Sequence, residues 1–403
     1  MSGLLPFSAA LDRLLAGAGP LPAELVALED CAGRVLAESL TARLTQPPFD
    51  AAAMDGYALR WADLHLPWRV VGESAAGHGW AGTVGAGEAV RIFTGAPLPA
   101  GADVIVVQEE VARDGGANGP WARLVGEGPP RIGAHIRAAG QDFAAGDGLI
   151  AAGTRLGAVH LGLAAAGGHR ALPTVRRPRV VLIATGDELA APGTLPGPGQ
   201  IVSSNPAMLT ALLRSAGALV HDPGIIPDNR AALAAALLGA EADLIITIGG
   251  ASVGDHDLVV PVLRDLGASL DFWKIALRPG KPLLAGRLNN TRVLGLPGNP
   301  VSAFVTALLF AVPLVARMAG RAHALPLETL PLAAALPANG ARRDHLRARR
   351  TAAGAEAFAR QDSALLSVLA AADLLIIREA GAPAAAVGEQ VSCIALDMFH
   401  SVF

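Results

Sequence analysis

Hydrophobic and polar positions alternate with different periods in different parts of the chain. Near the start, Leu11, Leu14 and Leu15 share one helical face, and the apolar run LEDCAGRVLAESL around Gly33 extends a helical pattern from about Phe7 to Arg43. These amphipathic stripes need a partner that the chain does not obviously supply. From Trp68 to Ile150 the apolar pieces are short and cut by glycines, as in WRVVGES and ARLVGEG. That punctuation predicts a small β-rich domain over residues 46–150. Leu156–Gly167 returns to a helical period, so 1–45 and 151–177 read as a helical linker region.

Beyond Arg179, strand and helix periods alternate. The pattern predicts strands at Arg179–Thr185, Leu219–Ile226 and Leu244–Ile248 and at RVLGL, with FWKIALRPGKPLLAG extended. Between them fall helices at Asn205–Ala216, opened by Ser203 and Ser204, at Asn229–Gly239, at Leu258–Leu266, and after PGNP. Strands alternating with helices of this length make a doubly wound α/β domain, here over 178–322. The pieces RRDHLRARR, LLIIREA and EQVSCIAL then predict a C-terminal β domain over 323–403. The fold class is therefore multidomain α/β.

Composition narrows the function. Of 403 residues, 52% are hydrophobic and 17% charged, a globular balance, and the net charge of -3 leaves no basic footprint for nucleic acid. The long uncharged run Val293–Ala316 is interrupted by Pro297, Gly298, Asn299, Pro300 and Pro313, which predicts a loop and a buried helix rather than a membrane span. Asp12 and Arg13 fall where a secretory leader would be apolar. The two cysteines, Cys31 and Cys393, match no metal spacing, and a reduced cytoplasmic setting is expected.

The stretch LIITIGGASVGDHD draws the chemistry together. Its apolar strand breaks at Gly249 and Gly250 and leads to Ser252, Asp255 and Asp257. This is either a strand-to-helix turn capped by Asp or part of a ligand site, because open α/β sheets bind ligands past the carboxyl ends of their strands. Asp187 and Glu188 follow one predicted strand and Asp228 another, so their loops share that edge. Carboxylates gathered without matching bases call for a cation, and oxygen donors suit Mg²⁺. Lys274, Arg278 and Lys281 add a positive rim fit for an oxyanion, and Pro297 to Pro300 open a helix whose free N–H groups favour an anion. The five arginines between Arg342 and Arg350 are either an anion grip or an exposed strand. No P-loop and no GxGxxG after the first strand occurs.

Taken together and in order, FDAAAMDGYA, RIFTGAPLPAG, TGDEL, GGASVGDHD, RPGKP and GLPGNPVSA resemble the MoeA family, the molybdopterin molybdenumtransferases, which includes the C-terminal half of gephyrin. The resemblance implies an enzyme that inserts molybdate into adenylylated molybdopterin with release of AMP, dependent on Mg²⁺. It implies that Asp55, Thr94, Asp142, Glu188, Asp228 and Asp257 are the acidic or hydroxyl groups of the active cleft, with Asp55, Asp142 and Glu188 as metal ligands. Arg137, Gly249, Gly250, Ser252, Asp255, Lys274, Arg278, Lys281, Pro297, Pro300, Arg347 and Ser363 become the candidate substrate contacts. A homodimer with the cleft between subunits is implied as well, the helical linker region serving dimerisation. Against the family pattern, Ala51 and Ala52 replace Asn-Ser, Gln141 replaces Glu, Arg278 replaces Lys and Asp362 replaces Gly. The alternatives are a molybdopterin adenylyltransferase, which would need only the middle block, and a non-catalytic scaffold, which would have no reason to keep converging acids.

Overall fold

The computed structural model describes residues 4–114, 120–249 and 258–397. The chain divides into two compact units, one formed by Met1–Glu24, Gly33–Ala37 and Pro173–Phe403, the other by Leu25–Ala32 and Glu38–Leu172.

The first unit is built on a seven-stranded sheet. Leu219–His221, Arg179–Thr185, Leu244–Ile248, Thr291–Leu296, Pro282–Leu288 and Ser269–Lys274 lie side by side in that order, and Ile225–Ile226 extends along Arg179–Thr185. The strands from Leu219–His221 to Thr291–Leu296 run parallel, Val180 facing Leu244 and Leu244 facing Arg292. All five residues of Leu244–Ile248 are buried, which explains a run with no polar alternation beyond Thr247. The sheet departs from a fully parallel one at its far edge, where Pro282–Leu288 and Ser269–Lys274 are antiparallel to their neighbours. A two-residue turn causes this: Leu288 pairs with Thr291, and Asn289 takes φ 52°. Asn tolerates that left-handed conformation, so the hairpin closes without a crossover helix.

Helices Asn205–Ser215 and Pro300–Thr306 pack on one face, while Arg230–Leu238 and Val259–Asp265 cover the other. The Asn229 side chain accepts from the Ala232 amide and fixes the start of its helix. Ser204, by contrast, makes no capping hydrogen bond. The loop and the buried helix expected within Val293–Ala316 are both present. Helical structure runs on from Pro300 to Met318, almost entirely buried. Ala307–Ala311 forms a π turn just before Pro313, and a turn of that kind accommodates the missing proline N–H. Length and apolarity would let this helix cross a membrane, but here it is the core.

The N-terminal expectation needs two corrections. Only Phe7–Leu15 is α-helical, while Ala23–Ala27 is a strand and Leu28–Asp30 a single 3₁₀ turn. The helix also has its partner within the chain: Ala10 and Leu14 are buried in the main core, and the Phe7 ring meets Phe310 edge-on at 5.4 Å. The amphipathic stripe therefore carries no argument for a second subunit.

The C-terminal sheet joins the same core. Leu277–Arg278 runs parallel to Arg343–Thr351, which continues through Leu374–Arg378, Gln390–Ala395 and Leu327–Pro331. Leu375, Ile377 and Ile394 pack in the cluster that holds Phe310. His345 is 1% exposed, and neither ring nitrogen has a hydrogen-bond partner among the described residues. Burial, with Arg343 adding, pushes its imidazole down to about 3. The unfolded chain takes up this proton below about pH 6.5 and the native chain does not until about pH 3, so stability declines as pH falls through that window. By pH 5 the loss is about 2 kcal/mol. The denaturation midpoint of the wild type should thus fall between pH 7 and 5 by more than that of His345→Leu, and equal falls would contradict the assignment.

In the second unit, a six-stranded sheet runs Val104–Val107, Gly56–Leu59, Glu88–Ile92, Trp68–Ser74, Trp121–Leu124, Val111–Asp114. Trp68 is its fully buried centre, with Nε1 donating to the Asp63 carbonyl at 2.8 Å. Helix Ala158–Ala166 belongs to this unit and buries only Ala164.

Candidate functional site

Two places in the chain gather the candidate residues, one in each unit.

In the first unit a pocket of about 380 Å³ opens beyond the carboxyl ends of Arg179–Thr185 and Leu244–Ile248, a size that suits a small ligand. Thr185, Glu188, Ser203, Ser204, Asn205, Gly249, Asn299 and Pro300 line it. Gly249 turns the chain at φ 85° while its amide donates to the Leu296 carbonyl at 2.9 Å, which a residue with a side chain would adopt only under strain. Asn205 Nδ2 donates to the Gly298 carbonyl at 2.6 Å and ties the Ser203–Asn205 turn to the PGNP turn. Its Oδ1 is buried without a partner among the described residues.

The acids partly converge as the strand order requires. Thr185 Oγ1 donates to Asp228 Oδ1, and the Asp228 amide donates to Asp187 Oδ1 at 3.2 Å. Glu188 lies in the pocket, and its carboxylate makes no hydrogen bond among the described residues. Gly250, Ser252, Asp255 and Asp257 lie outside the described residues.

The rim cations are on the same edge but do not line the pocket. Lys274 pairs with Pro282, beside Lys281, and pairing of Leu284 with Gly295 places both at the edge where Pro297 leaves the sheet. Lys274, Arg278 and Lys281 are all exposed. Arg278 Nη1 lies 3.4 Å from buried Asp344, whose carboxyl is raised above its ordinary range by burial, with Arg278 opposing.

The arginine strand is not an exposed one. Arg343 pairs with Glu379, Arg349 with Glu356 and Arg350 with Glu328, so these serve structure. Arg347 is 1% exposed, and burial lowers its guanidinium below the ordinary value. Its Nη2 donates to the Asp362 carbonyl at 3.0 Å. The next residue, Ser363, accepts from Asn299 Nδ2 at 3.1 Å and from the Val301 amide through its carbonyl at 3.0 Å. Arg347 therefore holds the loop that braces the PGNP turn instead of facing solvent.

In the second unit a cleft of about 510 Å³ is lined by Phe49, Ala51, Gly95, Arg137, Gln141 and Asp142, together with Gln46, Pro47 and Pro48. Backbone pairing assembles it: Arg137 faces Ala51, and the Asp142 amide donates to the Gln46 carbonyl at 3.0 Å. Asp142 and Arg137 are exposed, and the Asp142 carboxylate makes no hydrogen bond among the described residues. Next to the Gly95 wall, Asp55 Oδ1 accepts from both the Thr94 amide and the Thr94 hydroxyl at 2.8 Å. The Thr94 amide above all, then its hydroxyl, holds the Asp55 carboxyl below the usual range. The described residues of the chain hold no group of three His, Cys, Asp or Glu arranged for a metal.

Sequence reasoning missed Ser203, Ser204 and Asn205, and it missed Phe49 and Gln46. For the first set a signal was available, because SSNP repeats the Asn-Pro helix opening of PGNP.

Comparison with known proteins agrees with this architecture. Residues 5–168 match the MoeA N-terminal region (domain I and II), 181–317 a probable molybdopterin binding domain, and 329–396 the MoeA C-terminal region (domain IV). The α/β domain with its strand-end pocket is thus of the molybdopterin-binding class. A molybdopterin molybdenumtransferase from Haemophilus influenzae is 38% identical over 75% of this chain and 74% of its own, and molybdopterin molybdenumtransferase 2 from Mycobacterium tuberculosis is 41% identical over 72% and 73%. The crystal structure of the molybdopterin biosynthesis MoeA protein from Pyrococcus horikoshii superposes with a TM-score of 0.84 at 28% identity, covering 98% of this chain and all of that one. The chain belongs to the MoeA family.

Proposed function

We propose that this protein is a molybdopterin molybdenumtransferase that inserts molybdate into adenylylated molybdopterin and releases AMP. Family membership over most of the chain carries the reading, and the strand-end pocket supports it. Asn205, Ser203 and Ser204 supply neutral hydrogen-bonding groups for the bound substrate, and the exposed Lys274, Arg278 and Lys281 draw in oxyanions. The Asp55–Thr94 pair and Asp142 stand with Arg137 as the second set of reacting contacts.

Mg²⁺ fits the donor set. The carboxylates of Asp142 and Glu188 have uncommitted oxygens, and Asp55 has Oδ2 beyond its two bonds from Thr94. Mg²⁺ is commonly held by one or two carboxylates plus substrate phosphate oxygens and water. When bound, the ion offsets charge on the departing phosphate.

The working form is a homodimer in the cytoplasm. Its support is apolar surface in the second unit: Val159 is 83%, Leu25 75% and Leu44 55% exposed. Helix Ala158–Ala166 carries no Asp, Glu, Lys or Arg yet buries only Ala164, as a surface awaiting a partner would. Buried thiols at Cys31 and Cys393 suit a reducing compartment.

The test is AMP release from adenylyl-molybdopterin, measured with and without molybdate and with and without Mg²⁺. Release should need both. Equal release without molybdate would sink the reading.

A further inference from the structure

The Asp55–Thr94 pair is held from behind by one side chain that the site as described does not use. Arg91 lies in strand Glu88–Ile92, opposite Tyr57. Its Nη1 donates to the Gly56 carbonyl at 2.9 Å and its Nη2 to Gln108 Oε1. The guanidinium sits 5.1 Å from the centre of the Tyr57 ring and 4.7 Å from that of Phe93, both within cation–π range. Each partner adjoins the pair. Gly56 follows Asp55 in the chain, Phe93 precedes Thr94, and the Gln108 amide donates to the Asp55 carbonyl at 3.1 Å. One guanidinium therefore ties together the three segments that decide where the Asp55 carboxylate points.

We propose that Arg91 is a positioning residue: without touching substrate, it fixes the direction of the Asp55 carboxylate and of the Thr94 hydroxyl bonded to it. The role demands arginine. A planar fork reaches two acceptors while stacking on rings, whereas a lysine ammonium is a single point charge. The proposal rests on the reading of Asp55 as an active-cleft group only for its catalytic consequence; the clamp itself does not depend on that reading.

The experiment uses the full chain and three variants, Arg91→Met, Arg91→Lys and Asp55→Asn. Hydrogen exchange followed by NMR should show weaker protection of the Thr94 amide, which donates to Asp55, in Arg91→Met. Arg91→Lys, which keeps the charge and loses the fork, should lose the protection as well. In the AMP-release assay, kcat of Arg91→Met should fall on the order of tenfold with KM unchanged, a loss of the kind misplacement produces. Added to Asp55→Asn, the change should have little further effect, because the two act as one unit. Unchanged Thr94 protection in Arg91→Met would overturn the clamp. A rise in KM alone would overturn the positioning role in favour of direct substrate contact. Should the wild type release no AMP, the functional reading fails, and the NMR arm still decides the clamp.

Discussion

Replacing Asp142 by Asn is expected to cut AMP release about 100-fold while substrate binding persists, the scale at which loss of a preorganised electrostatic group is felt. The position isolates charge from structure. The Asp142 amide, not its side chain, makes the bond to Gln46 that holds the loop, so an isosteric amide should leave the cleft's shape intact. Binding should survive because the groups expected to grip an anion, Arg137 here and Lys274, Arg278 and Lys281 in the other unit, are unaltered. What changes is an exposed carboxylate with no internal partner among the described residues, available to a cation or to a developing charge. The measurement is single-turnover AMP release beside equilibrium binding of the adenylylated substrate. Lost binding with turnover intact would reverse the role given to Asp142.

Where local pattern and tertiary context agree, the fold was legible. Arg179–Thr185 and Leu244–Ile248 appear with the expected limits because strands buried on both faces need unbroken apolar runs. The helix expected from Asn229 also appears, its start fixed by the Asn229 side chain. Context overrode pattern at LEDCAGRVLAESL, whose helix-forming residues instead make a 3₁₀ turn at Leu28–Asp30, while Gly33 adopts φ 74°. Pro313 sits inside the expected buried helix, where a π turn that cannot be read from composition absorbs it.

The site was legible where residue type implies chemistry and illegible where neutral groups or supporting contacts do the work. Glu188, Asp228 and the PGNP turn were marked as candidates by charge and punctuation, and Asp142 by the family resemblance. Asn205, whose amide joins two turns, carries no such mark by itself. Nor does Arg91, which reads as an ordinary strand arginine until the register sets it between Tyr57 and Phe93. For Arg347 the sequence left two options, and burial excludes the exposed one.

Mixing two inactive variants should restore activity if the active cleft is shared between subunits. Asp55, Thr94 and Asp142 belong to one compact unit and Glu188 and Asp228 to the other, so a proposed cleft that takes one set from each protomer has a genetic signature. Asp142→Asn and Asp257→Asn proteins, each inactive, would be unfolded and reassembled together in equal amounts. Random pairing makes about half the dimers mixed under two-fold symmetry. Each mixed dimer then carries one site with both defects and one with neither, so activity returns to roughly a quarter of wild type. A cleft made within one chain allows no such rescue, because every site keeps one defect whatever its partner. The exposed Val159, Leu25 and Leu44 add a control: a charged replacement at Val159 should abolish both dimerisation and rescue together. Absence of recovered activity, with subunit exchange shown by mass, would refute the shared cleft.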